Sequence, residues 1–139
     1  MAAYNKVNIF VEDLGKAVHN LATHVLTIAL TTTANKPVAT NAILGNLTQI
    51  AYTNLSARVP TLTSYGQTSG TGKLILQDLI LTASGAVAAF GAIVLYNDTP
   101  TSPADPLISW WEYGSDVTLA NTETFTIDFD QSGGVLTIA

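Results

Sequence analysis

Charge is scarce in this sequence. Asp, Glu, Lys and Arg together make up 11% of its 139 residues, against about 25% in ordinary soluble domains. Hydrophobic residues stand at 47%, so Thr, Ser and Asn have replaced the missing charge. Hydroxyls and amides are cheaper to desolvate than Lys or Glu, and the cores of interfaces are depleted in charge for that reason. The composition therefore points to a surface covered in large part by copies or partners. A monomer with a neutral polar skin is the plainer alternative.

Cysteine is absent, which excludes a disulfide framework and any thiolate metal site. Basic residues are few: Lys6, Lys16, Lys36, Arg58 and Lys73, with none after Lys73. No basic stripe exists to neutralise phosphates, so no nucleic-acid partner is expected. Glu12 and Asp13 arrive before an apolar run forms, so no export signal is expected. The uncharged stretch Leu79 to Asn97 contains Thr82, Ser84, Gly85 and Gly91 and has acidic flanks. Two buried strands joined at Ser84-Gly85 account for it better than a membrane span.

Catalytic and metal motifs are missing or broken. Gly66 to Lys73 resembles a phosphate-binding loop, but Leu74 stands where the magnesium-binding hydroxyl belongs. A hairpin tip is expected there. Asp128 to Gly134 imitates the start of a calcium loop, yet its twelfth position is Ala139 where a bidentate Glu is required. His19 and His24 straddle a proposed helix end, with no partner set for a metal. The carboxylates Asp98, Asp105, Glu112 and Asp116 are too ordinary a group to mark a glycosidase. No catalytic, cofactor or metal residue is expected, and the chain reads as a non-enzyme without a cofactor.

What is present is β-branched and alternating. One short helix is expected over Glu12 to Leu21, capped by Asp13. Strands are expected from Val25 to Leu30, where both faces are apolar, and from Leu62 to Tyr65. A flexible tip over Gly66 to Gly72 leads into a strand from Lys73 to Thr82. Further strands are expected over Ala89 to Tyr96 and Leu107 to Tyr113, with a break at Gly114-Ser115. Phe125, Ile127 and Phe129 alternate with polar residues, and a last strand begins at Val135. The sum is one domain over residues 1–139: an all-β antiparallel β-sandwich of jelly-roll type, with an N-terminal arm over about residues 1–10.

Candidate interface residues follow from this reading. The arm supplies Ala2, Tyr4, Val7 and Ile9. The stiff loop from Asn97 to Pro106 supplies Pro100, Pro103 and Pro106. Adjacent strand residues point to opposite faces, so of Trp110 and Trp111 one is expected inside and the other outside, where it meets a subunit or a sugar.

Both ends of the chain resemble a family of small β-rich virion structural proteins of tailed phages. The residues carrying the resemblance are Val94 to Ile108, Trp110 to Gly114, Glu123 to Phe129 and Gly134 to Ile138. Tyr4 to Lys6 and Val11 to Asn20 match as well. The resemblance implies a virion structural protein and brings no catalytic residues with it. The expected role is a capsid decoration (cement) protein on the outer surface of the head. Its expected partners are the major capsid protein and copies of itself, as a trimer, with neither nucleic acid nor membrane. A tail, neck or fibre component is the alternative. A carbohydrate-binding module using Trp110 and Trp111 is the rival from another class.

Overall fold

The computed structural model describes residues 2–139. The chain is mostly β, and its sheets are antiparallel. Nine strands are described: β1 (Asn5–Lys6), β2 (Leu26–Thr31), β3 (Leu62–Thr68), β4 (Thr71–Leu76), β5 (Leu79–Thr82), β6 (Val87–Asn97), β7 (Leu107–Leu119), β8 (Thr124–Ile127) and β9 (Leu136–Ile138). They form three sheets, ordered β1-β7-β6-β2, β3-β4-β9 and β5-β8. A short helix, α1 (Phe10–Gly15), joins β1 to the segment before β2. Among the described residues no helix is long and apolar enough to cross a membrane.

The longest strands, β6 and β7, carry the largest sheet. All residues of β6 from Phe90 to Asn97 are buried, which is why the sequence there is an uninterrupted apolar run. β2 lies at the sheet edge yet is buried along its whole length. Irregular backbone covers it: Ile28 N–H donates to the Arg58 carbonyl at 2.8 Å, and Ile50 N–H to the Leu30 carbonyl at 3.0 Å. The Tyr52 hydroxyl accepts from Leu30 N–H at 2.9 Å. An edge closed in this way is no template for strand addition.

Four expectations need correction. The helix occupies 10–15 instead of Glu12 to Leu21, and Asp13 is a buried helix residue, not its cap. It ends because Ala17 takes the left-handed conformation, φ 59°. Val18 N–H then reaches the Asp13 carbonyl at 2.9 Å and Ala17 N–H the Leu14 carbonyl at 3.1 Å. These are the paired bonds of a Schellman stop, with Ala where Gly is usual.

The expected flexible tip over Gly66 to Gly72 is mostly strand. β3 and β4 pair up to Thr68↔Thr71, leaving a two-residue turn at Ser69-Gly70 with φ of 51° and 84°. Positive φ at both positions suits the twist of a tight hairpin. The single strand from Lys73 to Thr82 is two strands, parted at Gln77-Asp78 and belonging to different sheets. The Asp78 carboxylate holds the corner by accepting from Phe129 N–H at 3.0 Å.

The break at Gly114-Ser115 is a bulge inside one strand. Register passes from Ala92↔Glu112 to Phe90↔Val117, so β7 carries the extra residues. Gly91 sits opposite this bulge. A Cβ on it would meet Thr33 Cγ2 at 2.4 Å and the Asp116 carboxylate at 2.5 Å.

The N-terminal residues are fastened to the protein. β1 pairs Asn5 with Trp110 and Lys6 with Ser109. Val7 and Phe10 belong to the main apolar core.

Candidate functional site

The alternation along β7 and β8 builds a groove. Trp111 and Tyr113 share one face of β7, two residues apart, and Ile93 is the register partner of Trp111. Phe125, Ile127 and Phe129 repeat the same spacing across from them. The space between, about 550 Å³, is lined by these side chains together with Ala2, Tyr4 and Val135. Such a volume lies within the ordinary range of ligand sites.

The groove walls are held by ring contacts. Trp111 packs against Tyr4 with centroids 5.7 Å apart and against Phe129 at 6.1 Å. Phe125 packs on Tyr113 at 5.4 Å and on the buried Phe90 at 5.1 Å. All four pairs are edge-to-face, the geometry favoured by the ring quadrupoles. Tyr113 nevertheless remains 56% exposed and Tyr4 38%. Large aromatics left open beside one another mark a contact surface better than scattered single residues do.

Carboxylates border the groove. Glu112, Asp128 and Asp130 contribute to its lining, and no Lys or Arg does so among the described residues. Glu112 pairs with Lys36 at 3.0 Å. Asp130 accepts from Ser132 N–H at 2.9 Å and Gly133 N–H at 2.6 Å. Those backbone donors, chiefly Gly133, hold its carboxyl below the usual range. The calcium-like stretch is thus a turn closed by its own Asp side chain. Among the described residues, no group of three His, Asp or Glu side chains is placed to hold a metal.

The sequence-derived interface residues divide. Ala2, Tyr4 and Trp111 meet in the groove. Ile9 is half-buried and packs on the core, away from the groove lining. Pro100 and Pro103 are half-buried in the loop joining β6 to β7 and do not reach the groove. Two expectations fail. Val7 is wholly buried because its N–H donates to Ile108 and its side chain fills the core. Pro106 is buried because it bridges to Ile43. Of the two tryptophans Trp110 is the inward one, 7% exposed, and so leaves the interface set; its Nε1 has no hydrogen-bond partner among the described residues.

The alternation of Phe125, Ile127 and Phe129 was legible in the sequence, with Ile127 and Phe129 buried in the core and Phe125 packed against it, but not that this face meets the aromatics of β7. The shared spacing of Trp111 and Tyr113 was the available signal that two aromatic faces meet. Comparison with known proteins returns no matching family model, no matching curated protein and no matching solved structure.

A second polar cluster lies elsewhere, at the end of β6. The wholly buried Asn97 points its amide nitrogen at His19 Nδ1, 3.1 Å away, and at His24 Nδ1, 2.9 Å away. Burial, and secondarily the nearby His24, push His19 down to about 4. Its Nε2 lies 4.0 Å from the Asp13 carboxylate. The arrangement of these rings serves to fasten the segment before β2.

Proposed function

We propose that this protein is a non-enzymatic virion structural protein of a tailed phage, and in particular a capsid decoration protein. The observation that carries the reading is the aromatic groove between β7 and β8, open on a chain with little charge elsewhere. In this reading the three sheets form a β-sandwich of jelly-roll type seated on the outer face of the head. Tyr4, Trp111 and Tyr113 become the contact surface toward the major capsid protein or a second copy, and copies cluster as a trimer around a local symmetry axis. The family resemblance at both ends of the chain supports the same role. Binding to an assembled shell becomes shell stability by linkage.

The test uses tailless heads. Heads purified without tails are expected to carry the protein, and heads made without it are expected to assemble yet break at lower temperature or under osmotic shock. Adding the purified protein back restores their resistance. Heads that lack the protein and are as robust as complete ones, in particles that fail to adsorb to cells, favour a fibre role instead. The open rings of Trp111 and Tyr113 also favour a second reading, a carbohydrate-binding module. In that case a soluble oligosaccharide quenches Trp111 emission and heads are unaffected.

A further inference from the structure

We infer that the groove seats an extended segment of a partner protein in which apolar side chains alternate with Lys or Arg. The inference rests on the assembly reading above and specifies its contact.

Shape argues for an extended chain. The ladder between β1 and β7 stops at Asn5↔Trp110, so β7 beyond that point is paired only with β6 among the described residues. β8 likewise pairs only with β5. The groove thus runs beside two strand margins that have no ladder partner on one side. Its apolar lining repeats every second residue along each, which is the side-chain period of a strand. A segment with the same period sets one row of side chains between the walls and the other row toward the rim.

Charge argues for basic residues in that outer row. Of the ten acidic residues only Glu12 and Asp13 precede Lys73, and no basic residue follows it. Apart from Ala2 and Tyr4, the groove is built from residues after Lys73. Asp128 and Asp130 stand at its rim, and the net charge of the whole chain is −5. A second copy would bring the same carboxylates against these, and like charges facing across an interface are disfavoured. A cationic segment removes that repulsion, and its Lys or Arg heads also gain from the rings of Tyr113 and Trp111.

Ring geometry argues against a saccharide as the main occupant. The aromatic pairs meet at 67° to 82°. The walls are therefore corrugated, and a sugar ring stacks best on a flat open face. Corrugated walls suit interdigitating branched side chains.

The experiment uses the full-length protein and three probes: the octapeptide of four Lys-Val repeats, its Glu-Val counterpart, and a neutral hexasaccharide. Binding is read from tryptophan emission. The Lys-Val peptide is expected to give a saturable change and to bind at least about tenfold tighter than the Glu-Val peptide. The double variant Asp128→Asn, Asp130→Asn keeps the side-chain acceptors and removes the charges. It is expected to lose about tenfold in affinity for the Lys-Val peptide. Equal binding of both peptides, no binding of either, or binding of the hexasaccharide alone overturns the inference. Tyr113→Arg, at the exposed part of the groove wall on β7, separates the two levels. If it prevents binding to heads while the Lys-Val peptide fails to bind wild type, the peptide chemistry is wrong and the assembly reading stands. If heads take up Tyr113→Arg as well as wild type, the groove is not the contact and both fall.

Discussion

Asn97 serves His19 and His24 with one side-chain amide. Its Nδ2 lies 3.1 Å from His19 Nδ1 and 2.9 Å from His24 Nδ1, while its Oδ1 accepts from Thr99 N–H at 3.2 Å. The Thr99 bond fixes which way the amide faces, so both imidazole Nδ1 atoms must accept. The buried His19 ring is therefore neutral, with its proton on Nε2. A proton added to His19 Nδ1 would oppose an amide N–H inside the protein.

This arrangement sets the pH dependence of stability. His19 is held at about 4 in the folded state, against about 6.5 when unfolded. The unfolded chain binds the extra proton first, so stability is complete above pH 6.5 and falls as the pH drops toward 4. Roughly 2–3 kcal/mol is expected to be lost across that window. Asp13, whose carboxyl is raised by burial and then by Glu12, works in the opposite direction at the acid end. Urea unfolding of wild type and His19→Gln at pH 7, 5.5 and 4.5 checks this. The variant starts less stable and shows the shallower decline. Parallel declines would remove His19 as the cause.

Ala17 offers a gain in stability. It holds φ 59° at the Schellman stop of α1, a conformation that an L side chain resists by roughly 1–2 kcal/mol. Glycine removes that resistance, offset in part by its freer unfolded chain. Ala17→Gly is expected to stabilise by about 1 kcal/mol, or a few degrees in Tm. A lower Tm would mean that the Ala17 methyl makes a packing contribution larger than its strain.

The helix stop shows where the sequence was hard to read. Stops are recognised by Gly, and here the left-handed position is filled by Ala, so the apolar spacing of Val18 and Leu21 ran on past the true end. The buried strands were legible because their branched residues alternate or run continuously. Their boundaries were not: Gly114 signals an interruption in one dimension, whereas in the sheet it lies within a bulge that β6 accommodates through Gly91. Val7 was illegible for another reason. Val7 looks like any apolar residue near a terminus, and only pairing of its neighbours Asn5 and Lys6 with β7 carries it into the core. Trp111 was legible as half of an adjacent pair. Which of the two faced outward depended on the sheet's packing, which no local pattern records.

Gly91 is expected to be intolerant of any side chain. Even a methyl would lie 2.5 Å from Asp116 Oδ1 and 2.9 Å from the Ser115 carbonyl. That same Asp116 oxygen accepts from Thr33 N–H at 2.7 Å, so moving it breaks the tie between the β7 bulge and the segment after β2. Gly91→Ala is expected to destabilise by about 1–3 kcal/mol, the usual range for overpacking. Thermal melts measure it. A loss below about 0.5 kcal/mol would show that the bulge yields freely.

Trp110 and Trp111 are expected to respond in opposite ways to replacement by phenylalanine. Trp110 is buried with an unpartnered Nε1, and an unpaired buried donor costs about 1–3 kcal/mol. Trp110→Phe removes that donor while leaving a ring in place, so the lost packing and the relieved desolvation nearly cancel. A net change within about 1 kcal/mol is expected, small for so large a core side chain. The remaining indole, Trp111, borders the open groove and is reached by acrylamide. Trp111→Phe leaves only the enclosed indole, whose emission is blue-shifted and resists quenching. Stern–Volmer plots of the two variants therefore separate cleanly, the steeper belonging to Trp110→Phe. The reverse order would place Trp110 toward solvent and undo the assignment of Trp111 to the groove.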